Sequence, residues 1–129
     1  MPNKRSLIAV VDDDQSVCKA IGRLIIKSNF DVVTVTSGQM LLDLLPVRRP
    51  DCILLDLHMP GLSGVDVLRA LADGGLKLPV IVITGRDEPT ARARCLASGA
   101  SAFLLKPLDP KRLLRAIGEA LGGAPRLAN

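Results

Sequence analysis

The chain has 129 residues, 17 Lys and Arg against 13 Asp and Glu, a formal net charge of +4 and 48% hydrophobic residues. That length fits one compact domain, and that apolar fraction can build a core without disulfide or metal staples. No apolar run approaches the ~20 residues that span a bilayer, and two Phe with no Trp or Tyr leave no stacking platform for single-stranded nucleic acid.

The N-terminal stretch Met1-Pro2-Asn3-Lys4-Arg5 leads into a short apolar run that Asp12-Asp13-Asp14 cuts off. A signal peptide needs a longer apolar segment and a small-residue cleavage site, so a cytoplasmic location is expected. Leu7 to Val11 reads as a buried strand. Val17, Ala20, Ile21, Leu24 and Ile25 form the apolar face of a first helix. Val32 to Val35 is a second strand, and Met40, Leu41, Leu44 and Leu45 mark a short helix. Cys52 to Leu55 is a third strand, with Val65, Leu68, Leu71 and Ala72 on the helix that follows. Val80 to Ile83 is a fourth, and Ala91, Cys95 and Leu96 give its helix an apolar side. Ala102 to Leu105 is a fifth, closed by a helix that buries Leu113, Leu114, Ile117 and Leu121.

Continuous apolar strands alternating with amphipathic helices specify an α/β fold with a parallel sheet between helix layers. The punctuation agrees. Pro60-Gly61, Asp73-Gly74-Gly75 and Ser98-Gly99 fall between elements, and Asp109-Pro110 suits a helix cap followed by a first-turn proline. Gly122-Gly123 ends the last helix, and residues 122–129 read as a tail or the start of a linker. Cys18, Cys52 and Cys95 are scattered, with no CxxC spacing and a single His in the chain. This argues against a disulfide framework and a zinc site; buried thiols are expected instead.

The chemistry-bearing residues stand at strand ends. The first strand ends in Asp12-Asp13-Asp14, the third in Asp56, the fourth in Thr84 and the fifth in Lys106. Open α/β sheets bind ligands at the carboxyl ends of their strands, where the strand order reverses. A flavodoxin-like five-stranded sheet of order 2-1-3-4-5 would gather Asp12, Asp13 and Asp56 there, flanked by Thr84 and Lys106. Crowded carboxylates repel one another, and a hard divalent ion with oxygen ligands relieves the repulsion. Mg²⁺ suits a site that also takes phosphate oxygens, with Mn²⁺ as a substitute. A carboxylate so neutralised can act as a nucleophile toward phosphorus.

Val10-Val11-Asp12-Asp13-Asp14, Leu55-Asp56-Leu57-His58-Met59-Pro60-Gly61, Val82-Ile83-Thr84-Gly85 and Lys106-Pro107 resemble the signature segments of response-regulator receiver domains, the CheY-like family of two-component signalling. The resemblance runs from about residue 6 to residue 121. It implies a three-layer sandwich with about five helices, one receiver domain over residues 1–129, and a signalling role rather than that of an ordinary enzyme. Asp56 would be the phosphoacceptor. Asp13 and Asp56 would ligate Mg²⁺ together with the backbone carbonyl of His58, and Asp12 would act mainly through a water on the ion. Lys106 would hold the phosphoryl group, Thr84 would move toward it, and Phe103 would be the aromatic switch. The Lys106-Pro107 peptide would be cis. The implied partner is a sensor histidine kinase or phosphotransfer protein. A homodimer or an output domain would use the fourth helix, fifth strand and fifth helix. No direct nucleic-acid or membrane contact is expected.

Simpler roles stand beside these. Asp14 suits a cap on the first helix, Phe103 a core ring, and Lys111, Arg112 and Arg115 a solvated helix face. His58 and Arg86 are expected at the rim, facing solvent, where they would govern how fast water reaches the phosphoryl group. Asp12-x-Asp14 also resembles the nucleophile motif of haloacid-dehalogenase-type phosphatases, which leaves Asp56 without a role and lacks that family's later acidic pair. A flavin-binding module would place phosphate against three aspartates, and a phosphorylation-independent interaction module would leave the acid, hydroxyl and lysine set unused. The chain reads either as a stand-alone regulator or as the N-terminal part of a longer one.

Overall fold

A computed structural model describes residues 5–122; the tail expected beyond Gly122 lies outside them. Five strands alternate with five helices: β1 (Leu7–Val11), α1 (Gln15–Lys27), β2 (Asp31–Val35), α2 (Gly38–Leu44), β3 (Cys52–Asp56), α3 (Gly64–Asp73), β4 (Val80–Thr84), α4 (Pro89–Ala97), β5 (Ala102–Leu105) and α5 (Pro110–Gly122). All strand pairs are parallel and the order is β2-β1-β3-β4-β5, as the strand-end argument requires. The chain reverses direction across the sheet between β1 and β3, which are neighbours.

Alternation along each strand splits the core in two. Ala9, Val11, Ile53, Leu55, Val80 and Val82 pack with Leu41, Val67, Leu68, Leu71 and Cys95 from α2, α3 and α4. Ile8, Val10, Cys52, Leu54, Ile81 and Ile83 pack with Cys18, Ile21 and Ile25 of α1 and Leu113 and Ile117 of α5. Side chains two apart share a face of a strand, so five short apolar runs fill both layers at once. At about 1.5–3 kcal/mol for each large apolar side chain removed from water, these two clusters supply the main stabilising term.

The helix ends follow local chemistry. The Asp14 carboxylate accepts from the backbone N–H groups of Ser16 and Val17 and caps α1, as expected of it. Ser63 caps α3 in a reciprocal pair with Asp66, whose carboxyl this bonding holds below the usual range. The Asp109 carboxylate accepts from the Lys111 N–H at the start of α5. Gly99, just past α4, takes a φ of 106°, a conformation that only glycine adopts without strain. Asn29 takes a φ of 69° just beyond α1, a position not singled out from the sequence.

Four expected core positions are corrected. Met40 and Leu96 are about half exposed, and Ala20 and Ala72 also face solvent. The inner surfaces of α2, α4 and α1 are covered by Leu41, Cys95 and the Cys18–Ile21–Ile25 row instead. All three cysteines are buried and free, and burial pushes the Cys52 thiol up to about 12.

Candidate phosphoryl and metal site at the carboxyl edge of the sheet

The β1 terminus sorts its three acids into different tasks. Asp12 is buried, and its backbone N–H donates to the Val35 carbonyl at 3.2 Å, extending the β1–β2 ladder. Its carboxylate accepts from the Asp14 N–H at 2.9 Å, and its carbonyl accepts the Cys18 thiol at 3.3 Å. Asp14 turns away to cap α1. Asp13 is exposed, yet one of its carboxylate oxygens lies in a group with oxygens of Asp12 and Asp56, all within 4.8 Å of one another. Oxygens sharing one Mg²⁺ at about 2.1 Å stand up to about 4.2 Å apart, so the trio fits a hard divalent ion after a small adjustment of side chains.

Asp56 is the last residue of β3 and is buried. Beyond it, the Leu57 N–H donates to the Ile83 carbonyl at 2.9 Å, and the Gly64 N–H donates to the Leu57 carbonyl at 3.0 Å. The start of α3 presses so close that a Cβ on Gly64 would stand 2.9 Å from the Leu57 Cα and 3.2 Å from the Asp56 carbonyl oxygen. The turn that follows Asp56 is therefore fixed from both sides.

Lys106 follows β5, and its backbone N–H donates to the Thr84 carbonyl at 2.7 Å. Its ammonium donates to Asp12 at 3.1 Å and lies 3.8 Å from Asp56. The Lys106-Pro107 peptide is cis, as expected. Thr84 is fully buried, and its hydroxyl accepts from the Arg86 N–H at 3.2 Å. The sheet thus brings Asp12, Asp13, Asp56, Thr84 and Lys106 to one edge from four strand ends.

Three carboxylates face one ammonium here. If all are ionised the excess is two negative charges, the charge a divalent cation neutralises. Burial raises the Asp56 carboxyl above its ordinary value, and the Asp12 charge adds to this; Lys106 and a backbone hydrogen bond from His58 only partly offset it. Burial disfavours the Lys106 ammonium, but its hydrogen bond to Asp12 and the charges of Asp56, Asp12 and Asp13 outweigh that and raise it.

The rim matches expectation in exposure but not in bonding. His58 and Arg86 are exposed, and the His58 Nε2 lies 3.1 Å from Glu88 Oε1. Phe103 is half-buried on β5, with the Arg92 guanidinium 5.1 Å from its ring centre and 3.4 Å from Asp87. Asp87, Glu88 and Arg92 were not singled out from the sequence. Their spacing resembles an ordinary solvated helix start; Asp87 pairs locally with Arg92, while His58 and Phe103, the partners of Glu88 and Arg92, come from another loop and strand.

The family model of the response regulator receiver domain matches residues 8–118. The chain belongs to this family. Among other receivers, it is 36% identical over 115 residues to the DNA-binding response regulator MtrA of Mycobacterium tuberculosis, covering 88% of this chain and 50% of that protein. It is 38% identical over 107 residues to the response regulator MprA of Mycolicibacterium vanbaalenii, covering 83% of this chain and 46% of that one. The signal receiver domain of the putative response regulator NarL from Mycobacterium tuberculosis superposes with a TM-score of 0.86 at 28% identity, covering 94% of this chain and 99% of that one. The chain spans about half the length of the curated relatives it matches. This membership sets aside the phosphatase and flavin alternatives, and Asp56, which the phosphatase reading left without a role, stands inside the acid cluster.

Proposed function

We propose that this receiver accepts a phosphoryl group on Asp56 from a phosphohistidine of a sensor kinase or phosphotransfer protein, with Mg²⁺ bound, and that the modification alters the surface of α4, β5 and α5. The observation that carries this reading is the convergence of the Asp12, Asp13 and Asp56 carboxylates on one spot with the Lys106 ammonium beside them. In the transfer, an Asp56 oxygen attacks phosphorus, the bond from phosphorus to the donor nitrogen breaks, and an acyl phosphate forms. The released imidazole takes up the balancing proton.

Asp13, Asp56 and the backbone carbonyl of His58 would hold the ion, with Asp12 acting through water; Mn²⁺ would substitute. Bound there, Mg²⁺ neutralises the crowded carboxylates and the incoming phosphoryl oxygens. The chain's own residues do the rest. Asp12 and the fold hold Lys106 in reach of a phosphoryl oxygen, where a charge-assisted bond is strong. Thr84, already at the end of the neighbouring strand, donates its hydroxyl to a second oxygen after giving up its contact with the Arg86 N–H. Its departure from its resting place leaves room for the Phe103 ring to turn inward, which changes the α4–β5–α5 face. His58 and Arg86 at the rim set how readily water reaches the acyl phosphate.

The same reading makes the chain a self-phosphorylating and self-dephosphorylating switch, one receiver domain over residues 1–129. No helix among the described residues is long and apolar enough to cross a membrane, and a cytoplasmic location beside the kinase is part of the proposal. A second copy or an output domain would dock on the α4–β5–α5 face. MtrA is named a DNA-binding regulator, but this chain matches half of it, and no nucleic-acid contact is assigned to the receiver. Intact mass after incubation with acetyl phosphate tests the reading. One phosphoryl adduct that requires Mg²⁺ and is absent from Asp56→Asn is expected. Neither adduct nor phosphate release would make the chain a phosphorylation-independent interaction module.

A further inference from the structure

We infer that Glu88 is a positioning residue that holds the His58 imidazole as a strap across the mouth of the phosphoryl site, and that this strap lengthens the life of the phosphorylated state. The inference rests on Asp56 being the phosphoacceptor.

β3 and β4 are neighbours, with Asp56 level with Ile83. Their backbone pairing ends one residue on, at the bond from the Leu57 N–H to the Ile83 carbonyl. Past that point two loops rise from the strand ends, residues 57–63 after Asp56 and residues 85–88 after Thr84. Among the described residues, one hydrogen bond joins residues 58–63 to residues 85–88, that between His58 Nε2 and Glu88 Oε1 at 3.1 Å. With Nε2–H as the donor to the accepting carboxylate, the bond sets the orientation of the ring. The strap therefore bridges the two loops that follow Asp56 and Thr84.

Glu88 occupies the cap position of α4 but makes no capping bond with its side chain. A shorter Asp, Ser or Asn there would turn back onto the helix N–H groups. The longer Glu instead reaches out to His58, so the residue's length serves the loop contact and not the helix. Both side chains are nearly half exposed, at 47% and 42%, so the pair adds little to fold stability. Its consequence lies in where the imidazole stands. A ring tethered between the two loops restricts the approach of water in line with the acyl phosphate, and in-line positioning governs the rate of such displacements. Released from Glu88, the ring samples other rotamers and the mouth opens.

The test is the first-order loss of phosphoryl group after acetyl phosphate is removed, at saturating Mg²⁺, for wild type, Glu88→Ala, Glu88→Gln, His58→Ala and the double alanine variant. Thermal unfolding of each checks that all remain folded. Glu88→Ala is expected to speed the loss by about threefold or more. Glu88→Gln, whose carboxamide oxygen still accepts from Nε2–H, restores most of the lifetime. The double variant loses the group no faster than His58→Ala alone, because Glu88 acts only through that ring. A wild type that takes no phosphoryl group overturns the phosphoacceptor reading and this inference with it. A wild type that takes it, with equal lifetimes in every variant or with single effects that multiply in the double, overturns this inference alone.

Discussion

The Lys106 ammonium is bonded to Asp12 at 3.1 Å and stands farther, at 3.8 Å, from Asp56. The lysine that would serve a phosphoryl group on β3 is thus moored to the acid on β1. Both carboxylates are buried, while a quarter of the lysine side chain is exposed. Removing the lysine leaves two neighbouring acids without their cation. Lys106→Met is expected to lower stability by about 1–2 kcal/mol in chelator, less than for a fully buried pair because solvent screens part of the charge. Mg²⁺ should restore most of the loss. Urea unfolding with and without Mg²⁺ checks this, and an unchanged midpoint in chelator would contradict it.

Asp56 gives a pH dependence of definite sign. Burial first, and the Asp12 charge second, raise its folded value above the ordinary 3.8. The folded state then holds this proton more tightly than the unfolded chain does. Its contribution to stability is full below the ordinary value and is lost as pH rises through the raised one. Without Mg²⁺, Asp56→Asn should therefore be more stable than wild type at pH 7, with the gap closing as pH falls through the raised value and closed below 3.8. Melting temperatures across that range decide it; an Asn variant less stable at pH 7 would show that Asp56 is held by favourable contacts instead.

Mg²⁺ itself should raise the melting temperature, since an ion bound only by the folded state stabilises it. At ten times the dissociation constant the gain is about 1.4 kcal/mol. Asp13 is exposed and makes no hydrogen bond or ion pair among the described residues, so Asp13→Asn should leave the melting point in chelator nearly unchanged and remove the Mg²⁺ response. A variant that keeps the full response would take Asp13 out of the ligand set.

Much of this was legible in the residues. Asp56, Thr84 and Lys106 follow apolar runs of strand length, and a parallel sheet puts strand ends on one edge whatever the helices do. The division among Asp12, Asp13 and Asp14 was legible only for Asp14, because a cap is a local motif. The burial of Asp12 and its bond to Lys106 join residues at opposite ends of the chain. Glu88 and Arg92 were not legible for the same reason: each looks like a solvated helix residue until a neighbouring loop supplies His58 and the adjacent edge strand supplies Phe103. Met40 and Leu96 misled because an apolar side chain on a short helix need not face inward when Leu41 and Cys95 already fill the layer.

Gly64 is the tightest approach near the site. Alanine there would force its Cβ to 2.9 Å from the Leu57 Cα, a backbone atom that cannot swing away. Gly64→Ala is expected to cost about 1–3 kcal/mol and to move the turn that follows Asp56. Unfolding measurements give the first effect, and a weaker Mg²⁺ response gives the second. A neutral substitution would mean that α3 starts farther from β3 than it does here.

The central claim is that Asp56, and no other acid at this edge, takes the phosphoryl group. Borohydride cleaves an acyl phosphate of aspartate and reduces it to the alcohol, leaving homoserine at the modified position. After incubation with acetyl phosphate and Mg²⁺, reduction and peptide mapping should find homoserine at position 56 alone, and none without Mg²⁺. Homoserine at position 12 or 13, or steady phosphate release that survives in Asp56→Asn, would contradict the account and point to Asp12 as the nucleophile.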